Sequence, residues 1–260
     1  MSKELVKKES TELMTAEQQS GFESSLVSEQ NITSSEIVIP KIIPMQGQSP
    51  LVLAGEAKFG ELRDTLNNEI LACTEIGKNP ALPMEFVPFK WEKYWITKTQ
   101  DGAKWKFEKM EKITTETEGL NAFENWTGND GVLRKRVYLH LFYVMIPNKP
   151  IPYTIGFRGA SKRAGDALVT NMFVINKMAK TSLVWKRSPM AKVMQLVPKK
   201  ESKEGNTYIV LETKPLRDST YEEACEALQW LNTFSKSNVQ VDNSDIIHET
   251  EATVLQNSDF

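Results

Sequence analysis

The sequence predicts a mainly β protein with helices (α+β): a partly open β-barrel with one inserted and one C-terminal helix, flanked by disordered arms. Three observations predict it. From Met84 to Thr213 polar and apolar residues alternate in runs separated by turn signals. Two segments with a helical period sit within and after those runs. Both ends of the chain are too polar to build a core.

The arms come first. Residues 1–36 are rich in Ser, Glu and Gln, hold one aromatic, Phe22, and set seven Glu against three Lys. So little apolar surface does not offset the entropy lost on ordering, and a disordered N-terminal arm is expected. Residues 236–260 read the same way: from Ser237 there are five acidic side chains, no Lys or Arg, and a final Asp259-Phe260. Residues 37–235 remain as one domain, long enough for a single core.

Order is expected to begin at Ile37-Val38-Ile39-Pro40-Lys41-Ile42-Ile43-Pro44-Met45, whose two prolines suit an extended edge segment. A short helix is expected around Glu61 to Asn67. Pro80 and Pro83 lead into Met84 to Lys98, where alternation places Phe89, Trp91, Lys93 and Trp95 on one face and Lys90, Glu92, Tyr94 and Ile96 on the other. Gln100-Asp101-Gly102 signals a hairpin. Its returning strand, Ala103 to Ile113, sets Trp105 and Phe107 opposite Lys104 and Lys106. A Thr/Glu/Gly/Asn loop through Gly131 precedes the longest strand, Arg134 to Ile146, and Pro147 to Pro150 turn the chain into Ile151 to Phe157.

From Ser161, a candidate N-cap, the period becomes helical, with Ala164, Leu168, Met172, Ile175 and Ala179 along one side. Strands Met190 to Val197 and Thr207 to Thr213 follow, joined by a Lys/Glu/Gly hairpin. A final helix, capped by Ser219 or Thr220 and carrying Glu222 and Glu223 in its first turn, runs to about Phe234. Strands, helix, two strands, helix is the order of an OB-like barrel, here elaborated beyond five strands.

Charge is partitioned. The formal net charge is −2, yet residues 86–200 hold 21 Lys and Arg against 9 Asp and Glu. A local excess of that size marks a polyanion partner more reliably than the whole-chain value. Cys73, Cys225, His140 and His248 are the only residues of their types, with neither zinc-ligand spacing nor a disulfide framework. No metal or cofactor is expected. The N-terminus lacks a hydrophobic signal core and no apolar run reaches membrane-spanning length, so a cytoplasmic protein without membrane contact is expected.

Arg134 to Ile146 is the most informative segment. Val137, Leu139, Leu141, Tyr143 and Met145 read as core, while Arg134, Arg136, Tyr138, His140 and Phe142 alternate cations with flat rings. Bases stack on such rings and phosphates lie against such cations. The bland alternative is a second core, with Tyr138 and Phe142 under a helix. The preceding hairpin adds Trp91, Trp95 and Trp105 beside Lys90, Lys93, Lys104 and Lys106, at least one of the indoles being core. Arg158-Gly159-Ala160-Ser161-Lys162-Arg163, at a strand-to-helix junction, makes a phosphate-binding corner from Arg158, Lys162, Arg163 and free helix amides, or simply a capped helix with surface bases. Nucleophile motifs, paired catalytic carboxylates and nucleotide-binding Gly-rich loops do not occur, so no catalysis is expected.

With its basic strand, following helix and Asp259-Phe260 tip, the chain resembles the bacteriophage single-stranded DNA-binding proteins of the T7 type, OB-fold proteins with an acidic tail ending in an aromatic. The resemblance implies coating of exposed single-stranded DNA in replication and recombination. It also implies recruitment of replication or recombination proteins through Asp259 and Phe260. The dilute acidity of this tail and the long N-terminal arm depart from that pattern. The rival expectation is a non-enzymatic phage structural or regulatory protein-interaction module. Oligomeric state is left open, a homodimer among the options.

Overall fold

Two long strands form the spine of the fold: β5, Met84–Asp101, and β8, Leu133–Met145, antiparallel from Val87 opposite Met145 to Thr99 opposite Arg134. The computed structural model describes residues 38–74, 82–102, 104–122, 124–203 and 205–236, and the backbone of 240–241. The fold is mixed α/β and mostly strand. One ten-stranded sheet runs β11 (Asn206–Asp218), β10 (Lys192–Lys203), β5, β8, β9 (Tyr153–Arg158), β2 (Lys41–Pro44), β3 (Glu61–Asp64) and β4 (Ile70–Cys73). Off this path, β6 (Lys104–Lys112) pairs with the second half of β5, and β7 (Asn125–Thr127) pairs with β8. A separate parallel pair joins β1 (Val38–Ile39) to β12 (Gln240–Val241).

Among the described residues the sheet does not close; the ladders show a mixed, mostly strand fold and do not by themselves establish the expected partly open OB-like barrel. Instead side chains bridge its outer strand to distant segments. Gln46, just after β2, accepts the Ile209 amide at 2.8 Å and donates to the Ile209 carbonyl at 3.0 Å. The Ser161 hydroxyl accepts the Leu211 amide at 2.9 Å. These contacts satisfy edge groups of β11 that would otherwise be open to another strand.

Helices cover both faces. A single turn, α1 (Pro50–Leu53), follows β2; α2 (Lys162–Thr170) follows a 3₁₀ turn at Gly159–Ser161; α3 (Tyr221–Lys236) ends the domain. On one face α2 packs Leu168, with Met172 just beyond it, against Phe142, Val144, Ile155 and Phe157. On the other, Ala224, Ala227 and Phe234 of α3 meet Phe89, Leu141, Tyr143 and Met145. The start of α3 is a reciprocal cap: Thr220 Oγ1 accepts the Glu223 amide, and the Glu223 carboxylate accepts the Thr220 amide.

Several expectations are corrected here. Glu61 to Asn67 is not helical: β3 ends at Asp64, whose carboxylate accepts the amides of Leu66, Asn67 and Glu69, bending the chain into a hairpin with Asn68 at φ 56. β2 is interior, between β9 and β3, because its prolines only bracket it; Pro40 contributes its carbonyl to the Thr154 amide. A bulge at Pro88–Lys90 turns Phe89 off the Trp91 face and into the core under α3. Ser161 does not cap α2, its hydroxyl being committed to β11. After Thr170 a π-helical turn, Asn171–Ile175, shifts the buried side from the expected Ile175 to Asn176 and leaves Ile175 exposed. Within the expected disordered tail, Gln240 and Val241 pair with β1. Residues 1–37 and 242–260, including Asp259 and Phe260, lie outside the described residues. Among the described residues no helix is long and apolar enough to cross a membrane.

Candidate nucleic-acid interface

The even-numbered face of β8 is covered. Phe142 is fully buried, edge-on to Phe157 and beneath Leu168 and Met172. His140 is buried under Gly165 of α2, where a Cβ would come within 2.7 Å of the imidazole. Trp91 Nε1 donates to His140 Nδ1 at 3.0 Å. That leaves the proton on Nε2, which donates to Asp166 Oδ1 at 2.8 Å. Burial lowers the His140 pKa, partly opposed by Asp166, so the ring is a neutral link between sheet and helix. The Tyr138 ring lies against Trp95 and His140 with the Lys162 ammonium above it, and burial, with the charges of Asp166 and Glu118, pushes its hydroxyl up to about 12. Trp95 is buried and donates its N–H to the Thr117 carbonyl. Trp91 is partly buried, against Phe142 and Phe173.

The cations of that face are paired. Arg134 meets Glu108 and Asp130 at 2.9 and 2.7 Å, Arg136 meets Glu124 at 3.2 Å, and Lys93 meets Glu118. Glu118, Glu124 and Asp130 all belong to the connection between β6 and β8, which lays carboxylates over the basic stripe. Lys106 pairs with Asp101, and Lys104 stands opposite Asp101 at the hairpin. Lys162 pairs with Asp166 at 2.8 Å, whereas Arg163 is exposed on α2 with no ion pair among the described residues. On the opposite, odd-numbered face, Lys90 lies 4.6 Å from the Tyr143 ring centroid, beside Glu92. Burial alone would raise the Glu92 pKa, but hydrogen bonds from Lys112 and Tyr94, the Lys90 charge and the Tyr143 hydroxyl bring it down to about 2. Phe142, His140, Trp95 and the two arginines are therefore structural where the sequence suggested a binding surface.

A different basic track lies on the odd-numbered face, crossing five strands obliquely. It starts on β6 with Trp105, whose ring carries the Lys135 ammonium at 4.0 Å. Lys98 on β5 stands opposite both Phe107 of β6 and Lys135 of β8. Burial, and then the neighbouring Lys98, lower the Lys135 pKa. Arg158 on β9 lies opposite Leu139, and Lys41 on β2 comes next. Lys41 is only 3% exposed. Gly156 makes room for Leu139, since a Cβ there would be 3.1 Å from a Leu139 methyl, while 3.6 Å from Lys41 Cε it would be in ordinary contact.

The track runs into a cavity of about 720 Å³ in the seam where the sheet fails to close. Lys41, Lys98 and Arg158 line it with Val137, Leu139, Ile209, Leu211 and Tyr208, and no Asp or Glu is among its described lining residues. Gly159, at φ 55, turns the chain there from β9 into the 3₁₀ turn along one wall, a conformation that glycine adopts without strain.

Of the residues singled out in the sequence, the structure brings Trp105 and Arg158 to this track. It adds Lys41, Lys98, Phe107, Lys135 and Tyr208. Lys135 carried a signal: it is a cation at the head of an otherwise apolar odd-numbered set. Lys41 carried none, because its cavity is assembled from segments far apart in the chain. Among the described residues no three His, Cys, Asp or Glu side chains converge in a metal-holding group. Comparison with family models, curated proteins and solved structures returned no match.

Proposed function

We propose that this protein binds single-stranded DNA without catalysing a reaction on it, coating exposed strands in bacteriophage replication or recombination. The observation that carries the reading is the oblique track: Trp105 and Phe107, then Lys98, Lys135, Arg158 and Lys41, on one face of the sheet and running into a cavity of about 720 Å³. Phosphates lie along the four cations and bases stack at Trp105 and Phe107, so that charge and flat apolar surface alternate along one path. In this reading the Asp259-Phe260 tip recruits partner proteins rather than binding the strand. Fluorescence titration with an unstructured oligothymidylate at two salt concentrations tests it. Indole quenching that weakens with salt is expected, from release of counterions; no quenching and no gel shift at low salt would overturn it.

A second reading, a protein-interaction module, is favoured by one observation. Phe173, Val174, Ile175, Met178, Leu183 and Val184 are all exposed around the π-helical turn and the segment after it. It predicts a hetero-assembly indifferent to added oligonucleotide.

A further inference from the structure

Between α2 and β10 the chain presents a surface that is both apolar and basic, and the strand-binding track does not use it. From residue 167 to residue 200 there are seven Lys and Arg and no Asp or Glu. Phe173, Val174, Ile175, Met178, Leu183 and Val184 are exposed there, Met178 to 75% and Val184 to 73%. Lys177, Lys180 and Arg187 stand among them, exposed and without an ion pair among the described residues. Lys186 lies 3.7 Å from Asp218 of β11, an acid it shares with Lys192. The stripe on β8, by contrast, meets an acid at each arginine.

The exposure is built into the backbone. Met172 and Met190 are buried at either end of the segment. Between them Asn176, only 2% exposed, donates from Nδ2 to the Ser188 carbonyl at 3.2 Å, and Ser188 Oγ donates to the Trp185 carbonyl at 2.6 Å. The π-helical turn puts Asn176 inside and turns Phe173, Val174 and Ile175 outward together. A patch of this kind on a soluble protein marks an interaction site, and a fixed backbone lowers the ordering cost of binding.

Three properties select the occupant. Unpaired cations favour an acidic partner, and they would repel one another across a contact between two copies of the chain. The apolar side chains are mostly aliphatic and give bases no flat face to stack on, so a nucleic-acid strand would leave them uncovered. The surface also turns a corner. Phe173 rests on Trp91 on the α2 side of the sheet, ring centroids 5.8 Å apart, while Trp185 meets Tyr221 at the start of α3, at 6.2 Å. A bilayer, flat on this scale, meets one of those sides; a peptide segment follows both.

We propose that this surface docks an acidic segment of a partner protein, one that alternates Asp or Glu with large apolar side chains. Its apolar residues cover Ile175, Met178 and Val184, and its carboxylates meet Lys177, Lys180 and Arg187. This rests on the interaction-module reading, whose partner it names by chemistry, and it leaves the strand-binding track free.

The test is titration of the full chain with a synthetic peptide alternating Glu with Leu and Phe, beside counterparts with Lys for Glu or Ser for Leu and Phe. Fluorescence anisotropy and amide chemical shifts report binding. The acidic apolar peptide is expected to bind about tenfold or more tighter than either counterpart, less tightly as salt rises, with shifts centred on Phe173 to Val184. Ile175→Ser/Met178→Ser, checked for folding by circular dichroism, should weaken it about tenfold. Lys177→Glu/Lys180→Glu should do the same and raise affinity for the Lys peptide, a reversal that unfolding does not mimic. Equal binding of the peptides, shifts elsewhere, or displacement of the peptide by oligothymidylate overturns the proposal. If only the Lys peptide binds at these residues, the interaction-module reading stands without an acidic partner. If no peptide binds but vesicles of phosphatidylglycerol and phosphatidylcholine do, the surface is a lipid contact and that reading falls with the proposal.

Discussion

On the even-numbered face of β8, Arg134 and Arg136 are held by Glu108, Asp130 and Glu124, and His140 and Phe142 lie beneath α2. On the odd-numbered face of the same strand, Lys135 stands over Trp105 beside Lys98, and Arg158 and Lys41 continue the path. Both faces combine cations with rings. The difference lies in what meets them: a carboxylate-bearing connection and α2 on one side, and on the other α3 over Leu141 to Met145 with the cavity beside Val137 and Leu139. A surface ion pair stabilises a fold little, about 0–1 kcal/mol, but each one removes a charge from the field a polyanion would meet. Counting cations along a strand therefore overstates the usable charge unless the acids that fold back onto it are subtracted.

Substitutions can break this contrast. The largest effect is expected from Phe142→Ala, which empties the core under α2 and should cost about 3–5 kcal/mol of stability by urea denaturation. Oligonucleotide affinity of the protein that remains folded should not change; a parallel loss of affinity would mean that Phe142 faces the strand. Next comes the pair Lys98→Ala/Lys135→Ala, expected to weaken oligothymidylate binding by about 100-fold at low salt and to make the salt dependence shallower by about two phosphates. Arg134→Ala/Arg136→Ala should change affinity by less than about threefold, because those guanidiniums are already paired. Equal losses in the two double variants would erase the distinction between the faces.

The indoles sharpen it further. Trp105→Ala should lose about 1–3 kcal/mol of binding if a base stacks there, most of the fluorescence quenching going with it. Trp95→Phe should leave quenching nearly intact, since that indole is buried and tied to the Thr117 carbonyl. The smallest effect is in pH. The His140 pKa is lowered by burial, so the unfolded chain takes up a proton more readily than the fold. Stability should be complete above the ordinary value of 6.5 and decline as pH falls below it. A further decline is expected between 4.5 and about 2 as Glu92 is protonated and loses the groups that hold its charge. Unfolding midpoints at about pH 7.5 and about pH 5.5 isolate the histidine part. His140→Gln should flatten that interval, and an unchanged slope would assign it elsewhere.

Much of the fold was legible from local signals. The β5–β6 hairpin at Gly102, the long β8, the β10–β11 hairpin and α3 with its Thr220–Glu223 cap all follow from alternation, turn residues and capping chemistry within a few residues of chain. Errors arose where a side-chain hydrogen bond, local or distant in sequence, or a ladder irregularity overrode the pattern. Asp64 gathered three amides and made a hairpin where the pattern suggested a helix; the bulge at Pro88–Lys90 reversed Phe89; the hydroxyl of Ser161 went to β11 instead of its own helix.

By itself the sequence determined that this chain is mainly β with helices, that its cations concentrate between residues 86 and 200, and that β8 has an apolar odd-numbered set from Val137 to Met145. Those properties depend on side-chain type and on the two-residue period of a strand. Only the tertiary structure decided which helix covers each face of β8, which acids meet Arg134 and Arg136, and that Lys41, Lys98 and Arg158 line one cavity. Charge pairing and burial depend on distances between segments up to more than a hundred residues apart, and no local period encodes those distances.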